Sequence, residues 1–142
     1  MPYRLEYQPD NIFAKILRGE MPCHKVFEDD VAFAFMDIMP RGDGHTLIIP
    51  KVEARGLLDM PVAALGPFME RVQRVSAAVV KGMDAEGLTL QQFNETAGGQ
   101  VVFHLHFHVI PRWEGIRLRP HTGEMEKPDV LRQNAERIRA AL

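Results

Sequence analysis

Between Phe103 and Val109 every second residue is a histidine: Phe103-His104-Leu105-His106-Phe107-His108-Val109. A period of two belongs to an extended strand, whose successive side chains point to opposite faces. The same residues on a helix would scatter around its axis. The pattern predicts a strand over 101–110, closed by Pro111. Phe103, Leu105, Phe107 and Val109 would face the core, and His104, His106 and His108 would share the other face at about 6–7 Å spacing. A glycine loop, Thr96-Ala97-Gly98-Gly99-Gln100, leads into this strand.

The remaining patterns supply the frame. Asp10 is placed to cap a short helix carrying Ile12, Phe13, Ile16 and Leu17, which Gly19 ends. Apolar residues on both sides of Glu28-Asp29-Asp30 predict a hairpin between 23 and 38. After the loop Pro40-Arg41-Gly42-Asp43-Gly44, residues 45–49 predict a strand stopped by Pro50. Leu65, Phe68, Met69, Val72, Val75, Val79 and Val80 recur at helical spacing, so a long helix is expected over 61–83. Residues 88–93 return to a strand, and Pro128 opens a C-terminal helix. Strands in hairpin succession, with one long helix between the third and fourth, predict an α+β fold: an antiparallel sheet of about five strands, with helices on one face.

Composition narrows the function classes. A chain of 142 residues suits one core, so a single domain over 1–142 is expected. A net charge of −2 gives no field to draw nucleic acid or an anionic membrane. No apolar run approaches the roughly 20 residues of a membrane span. The segment Met1-Pro2-Tyr3-Arg4-Leu5-Glu6 has an early acid and no apolar block, so no signal peptide is expected and the cytoplasm is the default. Cys23 is the sole cysteine, which excludes an intrachain disulfide and a cysteine-based zinc site.

Three histidines on one strand face suit either a metal site or a nucleophilic one, and spacing alone leaves both open. The run His104-Leu105-His106-Phe107-His108-Val109 resembles the signature of the histidine triad, or HIT, family. Further blocks resemble that family too: residues 11–16 and 18–22, Glu28-Asp29-Asp30, 34–38, 44–51, Asn94-Glu95 and Gly98-Gly99-Gln100. The tail from 112 to 142 matches loosely and reads as an extension of the HIT domain.

The resemblance implies a HIT-like fold and nucleotide chemistry without a cofactor. Members of the Hint-like branch cleave nucleoside monophosphate from phosphoramidates or phosphoanhydrides through a nucleotidyl-histidine. His106 would be the nucleophile, His108 a donor to the phosphate, and His104 with His45 the polar scaffold. Asn94, Gly99, Gln100 and the Val102 backbone match the phosphate and ribose contacts. Asp37 matches the acceptor for the ribose hydroxyls, and Ile12, Phe13 and Ile38 the walls around the base. Some relatives hold a structural zinc through a cysteine where this chain has Ala14, so no metal is expected. The position after Gln100 often carries serine or glutamate in relatives, and Val101 cannot assist a leaving group as serine can. A homodimer is implied, with an AMP derivative as substrate. The rival readings are a dinucleoside polyphosphate hydrolase using Arg112, Arg117 and Arg119, a nucleotide-binding interaction module with little turnover, and the three-histidine metal site.

Overall fold

A computed structural model describes residues 2–120 and 123–142. In chain order the elements are α1 (Ile12–Leu17), β1 (Lys25–Glu28), β2 (Ala32–Met36), β3 (Thr46–Pro50), α2 (Val62–Gly82), β4 (Gly87–Gln91), β5 (Phe107–Arg112) and α3 (Pro128–Arg139). The five strands form one sheet in the order β1-β2-β3-β5-β4, and every neighbouring pair is antiparallel. The expected α+β architecture is therefore present.

Helices cover both faces of the sheet, not one. On one side α2 and α3 set Phe68, Val72, Val75, Val79, Leu131 and Ile138 against Ala34, Met36, Ile48 and Val109. On the other side α1 sets Phe13 and Ile16 against Phe33, Phe35, Leu47 and Ile49. The sign of this was present in the strands. Ala32-Phe33-Ala34-Phe35-Met36 is apolar throughout and buried at every position, as a strand covered on both faces must be.

Two local readings need correction. Asn11, not Asp10, caps α1, its side-chain oxygen accepting from the Ala14 N–H at 2.9 Å. The histidine strand is also shorter than its alternation predicts. The β3 ladder reaches only from Phe107 to Val109 on β5, and the segment before Phe107 leaves the sheet. There the Leu105 N–H donates to the Ala54 carbonyl beyond the end of β3. Pro111 lies inside β5, paired with Leu88 on β4. The β3–β5 ladder has ended by then, so the N–H that proline lacks can fall on an unpaired side.

Candidate active site

Only His108 of the three histidines sits in regular strand; His104 lies in a bend over residues 102–104, and His106 immediately precedes the strand. Nor is their face solvated. His104 is fully buried and His106 is 7% exposed, roofed by the N-terminal segment and by α1. The Phe13 ring of α1 stands edge-on to the His106 ring, centroids 4.9 Å apart.

Hydrogen bonds orient each ring. His106 Nδ1 lies 2.6 Å from the His104 carbonyl oxygen, which can only accept. The proton of the neutral imidazole is therefore on Nδ1, and Nε2, with no hydrogen-bond partner among the described residues, carries the lone pair. Burial holds the His106 pKa below the ordinary histidine value, opposed by the carbonyl, so the ring is neutral near pH 7.

His104 is locked at both nitrogens. Its Nε2 donates to the Pro50 carbonyl at 2.8 Å, and its Nδ1 accepts from the Tyr7 hydroxyl at 2.6 Å. Desolvation pushes its pKa down to about 4. A ring so committed offers a metal no lone pair. That removes His104 from the three-histidine metal site, which the spacing had left open.

A second chain of bonds orients His108. The Arg41 N–H, which can only donate, points at His45 Nδ1 at 3.0 Å. The His45 proton then sits on Nε2, which is 3.0 Å from His108 Nδ1. His108 in turn carries its proton on Nε2, the nitrogen turned away from His45. His106 and His108, with ring centroids 5.1 Å apart, thus present a lone pair and an N–H donor side by side. Asp37, His45 and His108 do offer ligand atoms within 4.8 Å of one another. A cation there would have to displace the proton shared by the two imidazoles.

The residues expected around the nucleoside divide into two groups. Ile12 and Ile38 are each 43% exposed, which core packing does not explain, whereas Phe13 is a core residue that touches His106. Asp37 lies beside the histidines, its Oδ2 at 3.5 Å from His45 Nε2 and its Oδ1 accepting from the Met39 N–H at 2.9 Å. Burial raises its pKa to about 6, against the pull of that N–H.

The glycine loop is built differently from the expected phosphate cradle. The N–H groups of Gly98, Gly99 and Gln100 turn inward to the Glu95 and Thr96 carbonyls. Gln100 is buried, its amide donating to the Arg55 and Val102 carbonyls and accepting from the Glu95 N–H. Asn94 is also engaged, accepting from the Leu57 N–H at 2.8 Å and exchanging bonds with Gln92. These side chains shape the loop. Among the described residues the Val101 and Val102 N–H groups form no bond within the chain, so the amide donors left for an anion are these two, the expected Val102 backbone among them. Gly99, at φ 98°, takes a backbone conformation that favours glycine.

Two residues escaped the sequence reading. One is Tyr7. The other is Arg55, whose buried guanidinium grips Glu95 through two bonds, at 2.7 and 3.2 Å, and lies 4.4 Å from the Phe103 ring centroid. A lone arginine between the strand at 45–49 and the helix at 61–83 gives no periodic signal. Its neighbour Glu95 adopts φ 64°, a strained value for a side-chain-bearing residue, and the ion pair anchors that turn.

Comparison with known proteins identifies the family. The pattern of the HIT domain matches residues 18–115. Adenylylsulfatase HINT3 of Arabidopsis thaliana is 38% identical over 126 aligned residues, covering 84% of this chain and 64% of that protein. Adenosine 5'-monophosphoramidase HNT1 of Saccharomyces cerevisiae is 36% identical, covering 71% of this chain and 61% of that protein. The chain thus spans less than two thirds of the length of either. A crystal structure of a Hit-like protein involved in cell-cycle regulation from Bartonella henselae superposes with a TM-score of 0.91 at 51% identity, covering 96% of this chain and 98% of that one. An α+β fold with a tautomer-locked histidine cluster at the start of β5, between β3 and β4, is the architecture of a histidine-triad protein. The chain belongs to the HIT family.

Proposed function

We propose that the protein hydrolyses nucleoside monophosphate derivatives, phosphoramidates or phosphoanhydrides, through a nucleotide carried covalently on His106. The single observation behind this is the bond from His106 Nδ1 to the His104 carbonyl. It fixes the tautomer, aims the Nε2 lone pair outward, and strengthens as positive charge grows on the ring during attack. Nε2 attacks phosphorus, the N–P bond forms and the bond to the leaving group breaks. His108 Nε2–H stands beside the reacting atoms, where it can donate to a phosphoryl oxygen or to the departing atom. Water then attacks the phosphoramidate, the N–P bond breaks, and His106 returns to its neutral form as the monophosphate leaves.

In this reading Ile12, Phe13 and Ile38 hold the base, Asp37 accepts from the ribose hydroxyls, and the Val101 and Val102 amides meet the phosphate. That two relatives are named for cleaving adenylyl groups from sulfate and from an amine supports an AMP-type substrate. Among the described residues no helix is long and apolar enough to cross a membrane. Strand β4 is a sheet edge with Leu90 46% exposed, which favours pairing with a second copy.

The test is a panel of adenosine phosphoramidates, adenosine 5'-phosphosulfate and dinucleoside polyphosphates, with AMP release followed for the native protein and His106→Asn. Release in the native protein and none in the variant, with AMP binding kept, supports the reading. Equal turnover in both removes it.

A further inference from the structure

Beyond the histidines, the loop before β3, the end of β5 and the segment that follows enclose a pocket of about 250 Å³. Four arginines line it, Arg41, Arg112, Arg117 and Arg119, with Asp43 as the one acidic lining residue and Trp113 as an aromatic one. The chain as a whole is slightly acidic, so this local excess of positive charge is not a property of the surface in general.

The partners of the four arginines decide what the pocket can bind. Arg119 is neutralised, pairing with Asp43 at 2.6 Å and with Glu126 at 3.4 Å. Arg41 donates from Nε to the Arg119 carbonyl at 2.8 Å, and Arg112 donates to the Thr89 hydroxyl at 3.0 Å. Both acceptors are uncharged; they aim the guanidiniums without cancelling them. Arg117 forms no ion pair or hydrogen bond among the described residues. Three arginines thus line one concavity with no carboxylate paired to them among the described residues. The Trp113 ring is held by its Nε1 donating to the Asp84 carbonyl at 2.9 Å.

We propose that this pocket is a second ligand site, distinct from the histidines, that binds a compact phosphate polyanion of the pyrophosphate or triphosphate class. Guanidinium forks match phosphate oxygens two by two, and several such forks around one space favour a chain of phosphates over a single carboxylate. The volume falls below the roughly 300–1,000 Å³ of sites for whole organic ligands, which favours the polyanion itself over a complete nucleotide. Arg112 follows His108 by four positions on β5, about 13 Å along the strand, too far for one phosphate to touch both. The two sites are nevertheless joined, because the Arg41 that lines the pocket also supplies the N–H that fixes His45.

The experiment is calorimetric titration of the full chain with inorganic pyrophosphate and with tripolyphosphate, alone and in saturating AMP. It is repeated with Arg117→Glu, whose exposed position spares the fold. One polyanion should bind per chain, bind as well with AMP present, and lose at least tenfold in affinity in Arg117→Glu while AMP affinity stays unchanged. No binding to the native protein, binding unaffected by Arg117→Glu, or binding abolished by AMP would each overturn the proposal, the last by placing the anion at the histidines. Failure of AMP itself to bind would count against the nucleotide reading alone.

Discussion

Replacing Asp37 by asparagine should make the protein more stable and a poorer nucleotide binder. The carboxylate is 19% exposed, and the loss of water around it raises its pKa from 3.8 to about 6 despite the Met39 N–H. A rise of about two units corresponds to about 3 kcal/mol of strain in the ionised form. Residual solvent and the weaker acceptor that asparagine offers Met39 reduce the expected gain to about 1–2 kcal/mol at pH 7. The sign follows from linkage. The folded protein holds this proton more tightly than the unfolded chain, so the native protein loses stability as pH rises from about 4 to about 6 and no further beyond. Denaturant melts of both proteins across that range should show no advantage of the variant at the acid end and its full advantage above about pH 6. Binding should move the other way. Ribose hydroxyls that lose a charged acceptor forfeit about 1.5–3 kcal/mol, roughly tenfold to a hundredfold in affinity. A variant no more stable than the native protein above pH 6 would refute the burial argument. Unchanged ribonucleotide affinity would refute the ribose contact.

Three other perturbations follow from the geometry. Tyr7→Phe removes the donor at His104 Nδ1 and should lower kcat about tenfold with little change in KM, since a hydrogen bond that positions a catalytic group contributes about 1.4 kcal/mol. Nitrogen NMR should show the His104 Nδ1 signal move, and a change in KM alone would mean that Tyr7 merely pins the N-terminal segment. Glu95→Gln strands the buried Arg55 and should cost about 3 kcal/mol. Because the bond from Arg55 holds the Glu95 pKa below its ordinary value of 4.5, the native protein's advantage should be full above that pH and shrink as the pH falls below it; a gap independent of pH would contradict the ion pair. Activity should persist in a chelator, and a loss restored by zinc would point to Asp37, His45 and His108 as metal ligands.

The sequence made the site more legible than its surroundings. Seven residues with a period of two placed the histidines together beside the core, because alternation is a local property of the chain, although residues 102–104 bend before the strand begins. Where the ladder stops is not local. It depends on where β3 ends and on the Ala54 carbonyl that takes the Leu105 N–H, so the strand was read as too long. The tautomers of His106 and His108 rest on a carbonyl and an amide, groups that every residue carries, and no sequence pattern marks them. The same limit applies to the glycine loop. Glycines at 98 and 99 permit a tight turn, but whether its N–H groups face a ligand or the Glu95 carbonyl is settled by the turn itself. Tyr7 and Arg55 act on partners 97 and 40 residues away, at separations no local reading reaches.

The most direct measurement of the central reading is to stop the reaction with a nucleotide substrate within its first turnovers and map the protein by mass spectrometry. A single nucleotidyl adduct is expected on the peptide carrying His106, stable in base, labile in acid, and absent from His106→Asn. An adduct on His104 or His108 would contradict the assignment of roles. Turnover without any adduct, undiminished in His106→Asn, would contradict nucleophilic catalysis itself.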